Sequence, residues 1–329
     1  MIREEHLIPV GRVFDDEPDA ALAVTVTAPE TGRLADPPLV YFSVPGGGLD
    51  RAYYDLRAGG GTRFSFAVQM AERGCITIAI DPLGIGGSTR PRRGFELTAD
   101  VHARALARLH HTVCARLRAG SLIASLPPLR DLVSIGVGHS VGALLVLFQQ
   151  AAERSYDALA LLGFGTGGLV AALDEELHKY AGDPGGARAN ATRLAERWYA
   201  DPYPALDTEG RGREIYGGRA DPEALQALRG CRAPLLATVA VFVIIPGSSA
   251  PEAACVDVPV LLAAGDSDLC GPARELAASF PRSPAVSVLE LPSTGHSHFV
   301  FPSVDELFAR MGTWAGSLVV GHKLEQAQA

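Results

Sequence analysis

Three residue types in this chain could together perform nucleophilic acyl transfer: a serine hydroxyl, a carboxylate and an imidazole. Ser140 stands in Gly138-His139-Ser140-Val141-Gly142, two aspartates in Gly265-Asp266-Ser267-Asp268, and two histidines in Gly295-His296-Ser297-His298. A hydroxyl is a weak nucleophile until a neighbouring base takes its proton, and imidazole, which titrates near neutrality, suits that work. A carboxylate then holds the imidazole tautomer and stabilises the imidazolium that forms. Asp268 is preferred to Asp266 as the acid because it lies farther beyond an apolar strand-like run. Read as a calcium-binding or turn-forming pair, these aspartates lack further carboxylates. His296, directly after a glycine, is the preferred base, with His298 as the alternate.

The segments around these residues must position them. Leu132 to Val137 is apolar and β-branched and reads as a buried strand, while Val141 to Arg154 reads as a helix. Ser140 therefore falls on the tightest turn between strand and helix, where flanking glycines keep side chains away. The helix N-terminus points unpaired amides at the same place, so the Val141 amide can bind an oxyanion. A glycine-rich turn that binds phosphate, or binds nothing, is the competing reading of the motif by itself. Upstream, the apolar run Pro38 to Val44 ends in Pro45-Gly46-Gly47-Gly48, whose backbone can approach a ligand closely. Gly47 is the expected second oxyanion donor, with Gly48 next.

Strand-like and helix-like segments alternate along most of the chain, which predicts an α/β fold with a mostly parallel sheet and helices on both faces. His6 to Phe14 and Ala21 to Ala28 read as opening strands, and Cys75 to Ile80, Tyr156 to Leu162, Val258 to Ala264 and Ala285 to Leu291 as further ones. Helices are expected over Arg63 to Arg73, Thr98 to Arg118, Pro272 to Phe280 and Ser303 to Leu318. The rhythm breaks between Gly163 and Asp257, a span too long to be one loop. Helical patches there, Ala187 to Ala200 and one opening at Asp221-Pro222, predict an inserted helical cap. The division is a core of residues 1–163 and 258–329 with a cap, or lid, of residues 164–257.

Composition narrows the chemistry further. Of 329 residues, 47% are hydrophobic and 20% charged, enough for a sizeable core, and the formal net charge of −8 argues against nucleic acid as a partner. The five cysteines are an odd number with no CxxC pair, so neither a disulfide framework nor a zinc site is expected. They fit a reducing, cytoplasmic compartment, and Cys270, near the acid, is read as packing. The first residues are acidic and carry no secretory signal pattern. Leu235 to Ile245 is the most apolar run, too short to span a bilayer, so no membrane partner is expected. It reads as buried structure or a pocket wall, with a homodimer interface as the alternative. Nothing in the pattern requires a metal or a cofactor.

With these motifs in place, the sequence resembles the α/β-hydrolase superfamily over nearly its whole length. Gly138-His-Ser-Val-Gly142 is similar to that family's nucleophile elbow, Gly265-Asp-Ser-Asp268 to its acid loop and Gly295-His296 to its histidine loop. Asp81-Pro-Leu-Gly-Ile-Gly-Gly-Ser88 looks like its loop after the fourth strand. The chain order Ser, Asp, His is the order expected of such a fold. The resemblance implies an eight-stranded sheet with a cap after the sixth strand. The chain departs from the family at Pro45-Gly46, where His-Gly is common. Haloalkane dehalogenases and epoxide hydrolases are also similar but use an elbow aspartate, which Ser140 argues against.

These readings converge on a serine hydrolase acting through an acyl-enzyme on a small to medium, largely apolar ester, lactone or thioester. Ser140, His296 and Asp268 would carry the reaction, and the amides of Gly47 and Val141 would bind the oxyanion. Gly48, Tyr53, His139, Phe164 and Trp198 are the candidate substrate contacts, with Tyr53 and Tyr54 at the pocket rim. Carbon–carbon bond hydrolysis or acyl transfer to an alcohol could use the same three residues. A non-catalytic, hydrolase-like ligand-binding protein is the third reading, which the complete Ser, Asp and His set argues against.

Overall fold

A computed structural model describes residues 1–206 and 219–328. Residues 207–218, part of the expected cap, lie outside the described residues. Eight strands form one sheet in the order β1-β2-β4-β3-β5-β6-β7-β8. They are β1 Ile2–Gly11, β2 Ala20–Ala28, β3 Leu39–Val44, β4 Ile76–Ile80, β5 Val133–His139, β6 Ala158–Leu162, β7 Val260–Gly265 and β8 Val286–Leu291. The first two strands pair antiparallel, as does β2 with β4, and every later pairing is parallel. Strands β3 to β7 are buried throughout, which is why they are near-continuous apolar runs rather than alternating ones.

The register determines where chemistry can occur. Val44 pairs with Gly138, His139 with Leu162, Leu162 with Ala263, and Gly265 with Leu291. The C-terminal ends of β3, β5, β6, β7 and β8 therefore lie in one row. The loops that leave them carry Gly47, Ser140, Gly163, Asp268 and His296. In open α/β sheets this carboxyl edge is where ligands bind.

Helices α1 Phe66–Glu72, α2 Ala99–Arg118 and α3 Val141–Glu153 follow β3, β4 and β5. Ser65 and Thr98 cap the first two with side-chain oxygens. Between β6 and β7 the described residues hold α4 Glu175–His178, α5 Pro184–Trp198, α6 Pro222–Arg229, α7 Ala237–Ile244 and α8 Ala250–Cys255. After β7 come α9 Ala273–Leu276 and, behind β8, α10 Val304–Gln328.

Two expectations are corrected here. The opening strand begins at Ile2 rather than His6, because it is an edge strand whose outer face carries charge: Arg3 and Glu5 point out while Ile8 and Val10 point in. The helix expected over Pro272 to Phe280 is a four-residue helix that tightens into a 3₁₀ turn at Ala277–Ser279. The run Leu235 to Ile245 is buried structure, as the sequence reading prefers. It forms α7, a helix buried almost all round, as its uniform apolarity requires. Phe242 meets Phe148 of α3 edge-on, with ring centroids 5.6 Å apart. Polar ties join this helical segment to the helices beneath it. Arg188 on α5 bonds Asp100 on α2, reaches Glu252 on α8 at 2.7 Å and lies over the Phe148 ring.

Among the described residues no helix is long and apolar enough to cross a membrane.

Candidate active site

Ser140 occupies the single residue between β5 and α3, with φ 52° and ψ −119°. A residue with a Cβ pays steric energy there, and the surroundings enforce it. The Ser140 amide donates to the Leu162 carbonyl at 2.8 Å, tying the turn to the end of β6, while its carbonyl accepts from Ala143 at 2.9 Å. Glycines at 138 and 142 are required by close packing. A Cβ on Gly142 would lie 2.1 Å from the Val44 carbonyl oxygen, and one on Gly138 would lie 2.3 Å from Ala143 Cα. The start of α3 thus rests directly on the chain leaving β3.

That contact brings the two expected oxyanion donors together. A Cβ on Gly47 would fall 3.1 Å from Val141 Cγ2, so these residues are neighbours. Val141 is the first residue of α3, where amides have no partner inside the helix. The glycine loop is fastened below by Asp81. This buried carboxylate accepts from the Arg51 amide at 2.7 Å, from the Gly87 amide at 2.9 Å and from the Arg51 guanidinium. The Asp81 to Ser88 loop therefore holds the turn that follows Gly48. A separate cavity of about 310 Å³ lies beside this turn, lined by Arg3, Arg51, Arg57 and Asp55 among others. Its arginines are already paired with carboxylates.

His296 and Asp268 meet as the sequence reading expects. Nδ1 of His296 lies 2.6 Å from Oδ1 of Asp268, whose side chain is fully buried. Burial alone would raise the Asp268 pKa, but the charges and hydrogen bonds of two imidazoles outweigh it and hold the carboxyl below the ordinary range. An ionised carboxylate only accepts, so His296 carries its hydrogen on Nδ1 and leaves the Nε2 lone pair free. Asp266, the competing acid, does different work. It accepts the amides of Ser293 at 2.7 Å and Thr294 at 3.1 Å and so anchors the loop that presents His296.

Two residues whose roles the sequence did not show complete the arrangement. His298 places Nε2 2.6 Å from the other Asp268 oxygen, Oδ2, instead of serving as an alternate to His296. Gly163, with φ +59°, gives the imidazole its space: a Cβ there would lie 3.1 Å from His296 Cε1 and Nδ1. Position 163 showed only a glycine after a strand, which did not mark it.

Two of the candidate substrate contacts, His139 and Tyr53, and the rim residue Tyr54 lie inside the fold. His139 is buried and points inward: Nε2 donates to the His296 carbonyl at 2.8 Å, and Nδ1 faces Gly46, where a Cβ would lie 2.5 Å away. It buckles the elbow to the histidine loop. Burial, reinforced by the neighbouring imidazoles of His296 and His298, pushes its pKa well down, so it stays neutral. Tyr53 and Tyr54 are fully buried rather than at a rim. Tyr53 stacks on Phe299 at 4.7 Å and lies 5.0 Å from His139, and Tyr54 donates to the Val44 carbonyl. They pack beneath the site. Phe164 is buried directly after Gly163, and Trp198 closes α5, half-buried beside Tyr199. Gly48 takes φ +79°, and a Cβ there would lie 2.8 Å from Leu206 Cδ2; beside it, Leu235 Cδ2 would come within 2.9 Å of a Cβ on Gly47. Leucines from the helical segment thus cover the glycine loop.

Cys270 donates its amide to Asp268 Oδ1 at 3.3 Å, and burial followed by the Asp268 charge pushes its thiol pKa up, away from thiolate reactivity. Among the described residues no group of three or more His, Cys, Asp or Glu side chains is arranged to hold a metal ion.

The sequence also matches the model of the alpha/beta hydrolase family over residues 42–310. The chain belongs to the alpha/beta hydrolase family. Among solved structures, this hydrolase is similar to a thermophilic esterase from Thermogutta terrifontis, with 15% identity over 95% of this chain and 99% of that one and a TM-score of 0.58. It is similar to a peroxisomal α/β-hydrolase from Saccharomyces cerevisiae, with 12% identity over 98% and 89% and a TM-score of 0.63. A thioesterase domain from the curacin biosynthetic pathway matches at 15% identity over 96% and 99%, with a TM-score of 0.58. At such identities the likeness establishes the fold alone. No curated protein matches the chain.

Proposed function

We propose that this α/β-hydrolase is a serine hydrolase that cleaves a small to medium, largely apolar carboxylic ester, lactone or thioester through an acyl-enzyme. The observation that carries the reading is the short, buried Asp268–His296 hydrogen bond in the same row of strand ends as the strained Ser140. In this mechanism His296 Nε2 takes the Ser140 proton as Oγ attacks the carbonyl carbon. The Gly47 and Val141 amides receive the oxyanion. His296 then returns the proton to the leaving alcohol or thiol, and Asp268 stabilises the transient imidazolium. Water, activated by His296, attacks the acyl-enzyme and releases the acid and Ser140.

The apolar preference is supported by Leu206, Leu235 and Val141, the side chains nearest Gly47 and Gly48. We read the helices between β6 and β7, within residues 164–257, as a lid over the site. The five unpaired cysteines suit a reducing, cytoplasmic compartment.

A fluorophosphonate probe tests the reading, with the adduct located by mass spectrometry and p-nitrophenyl esters of increasing acyl length assayed alongside. The expected result is a mass shift on Ser140 and hydrolysis lost in Ser140→Ala. Full hydrolysis by Ser140→Ala would sink the mechanism. Cleavage of β-diketones in preference to every ester would transfer the same residues to carbon–carbon bond hydrolysis.

A further inference from the structure

Asp268 meets two imidazoles at once, and acyl transfer to Ser140 uses only one of them. His296 Nδ1 lies 2.6 Å from Oδ1 and His298 Nε2 lies 2.6 Å from Oδ2. The remaining donors are weaker: the Gly265 amide reaches Oδ2, and the Cys270 amide reaches Oδ1, each at 3.3 Å. The imidazoles therefore supply both short bonds. Because a carboxylate only accepts, His298 donates its Nε2–H. Its Nδ1 is buried and has no hydrogen-bond partner among the described residues. The bond to Asp268 is thus what orients this ring polarly, while packing fixes the rest. His298 is fully buried, its ring lies 5.7 Å from that of His139, and it opens a 3₁₀ turn continuing into the fully buried Phe299 and Val300.

The geometry points to His298 as a positioning residue that grips the second oxygen of Asp268, keeping the first aimed at His296 and the carboxylate unprotonated throughout acyl transfer. Asp268 stands on a loop three residues past β7, and its carboxyl could otherwise turn about its own side-chain bonds. When His296 becomes imidazolium, the bridging hydrogen must stay on Nδ1 for the proton on Nε2 to reach the leaving group. A second strong donor on Oδ2 draws charge from the carboxylate and makes it a poorer competitor for that hydrogen. His298 touches neither Ser140 nor substrate in this scheme; it acts through Asp268.

The rate measurements in the test rest on the acyl-transfer reading, and the spectroscopic ones do not. Wild type, His298→Leu and His298→Gln are compared by kcat and KM on p-nitrophenyl butyrate and by proton NMR of ¹⁵N-histidine-labelled protein. Wild type should show two low-field ring N–H resonances from the bonds to Asp268, one from His296 Nδ1 and one from His298 Nε2, beside that of His139 Nε2. His298→Leu should remove one and move the other. It should also lower kcat about 10- to 100-fold with KM changed less than about twofold, the pattern of a lost orienting partner. His298→Gln, whose amide N–H₂ can reach the place of Nε2, should recover most of the rate. A folded His298→Leu with wild-type kcat and an unmoved His296 resonance overturns the proposal, as does His298→Gln performing no better than His298→Leu. Should the leucine variant not fold, a wild-type spectrum without a hydrogen on His298 Nε2 overturns it equally. If wild type hydrolyses no ester, the acyl-transfer reading fails while the two resonances still decide whether His298 donates to Asp268.

Discussion

His139 donates from Nε2 to the backbone carbonyl of His296 at 2.8 Å, so the residue before the candidate nucleophile holds the candidate base by its own main chain. The serine turn and the histidine loop come from β5 and β8, which are separated in the sheet by β6 and β7. A direct tether fixes their separation where strand packing alone would leave slack. In His139→Leu the His296 carbonyl keeps only the His298 amide, at 3.0 Å, as its donor, and the lost bond should cost about 0.5–1.5 kcal/mol of stability. Loosening the base by an ångström should lower kcat about 10²-fold. Chemical denaturation and ester kinetics measure the two effects separately, and His139→Gln, which keeps a donor, should recover part of both.

The strain at Ser140 makes a second prediction, in which activity and stability move in opposite directions. Its φ of 52° with ψ −119° is a conformation that glycine adopts freely and other residues adopt at a cost of about 1–3 kcal/mol. Ser140→Gly should therefore abolish hydrolysis while raising the denaturation midpoint. Ser140→Ala should abolish hydrolysis equally, but it keeps the Cβ and so should show little of the stabilisation. Equal stability of the two variants would mean that the turn stores no strain.

Gly163 supplies a third. A methyl group there would stand 3.1 Å from His296 Cε1 and Nδ1 and 3.4 Å from Asp268 Oδ2, on a backbone at φ +59°. Gly163→Ala should lose about 1 kcal/mol to the backbone conformation and about 10²-fold in kcat to the displaced imidazole. Gly182→Ala is the control: φ is +76° and no atom lies within 4 Å of the added carbon. It should show the same loss of stability with no loss of rate.

The sequence reading was strongest where local pattern and chemistry coincide. Ser140 was legible because a buried strand, two glycines and a helix converge on it, and Asp268 and His296 because each follows an apolar strand. The outer half of β1 was obscured because an edge strand bears charge on its open face. His139 and Tyr53 were misread for a related reason: a polar or amphipathic side chain beside a site suggests contact with substrate, and only the fold shows that both point inward. His298 and Gly163 depend wholly on tertiary placement. No local pattern reveals that one aspartate has two imidazoles, or that a glycine after β6 makes room for a ring from β8.

The buried histidines predict how the protein responds to acid. His102 and His110 on α2 are pushed down, to about 3 and about 4, chiefly because burial disfavours the charged ring. His139 is pushed down by burial and by the imidazoles beside it. Each is neutral in the folded chain, but in the unfolded chain each binds a proton below about pH 6.5. The unfolded state therefore holds more protons in that window, and stability falls as the pH is lowered through it. The slope should approach about 1.4 kcal/mol per pH unit for each histidine. Asp268, whose folded pKa lies below its ordinary value, acts in the same direction but only below about pH 4, where its unfolded form becomes protonated. From pH 4.5 to 6.5 the three histidines thus dominate, opposed only by Asp50, whose carboxyl burial pushes up, and urea unfolding at several values across the interval measures the slope. Neither ring nitrogen of His102 has a hydrogen-bond partner among the described residues. His102→Leu should therefore flatten the slope by about one proton while leaving ester hydrolysis unchanged. A slope equal to that of wild type would show that His102 takes up its proton without unfolding.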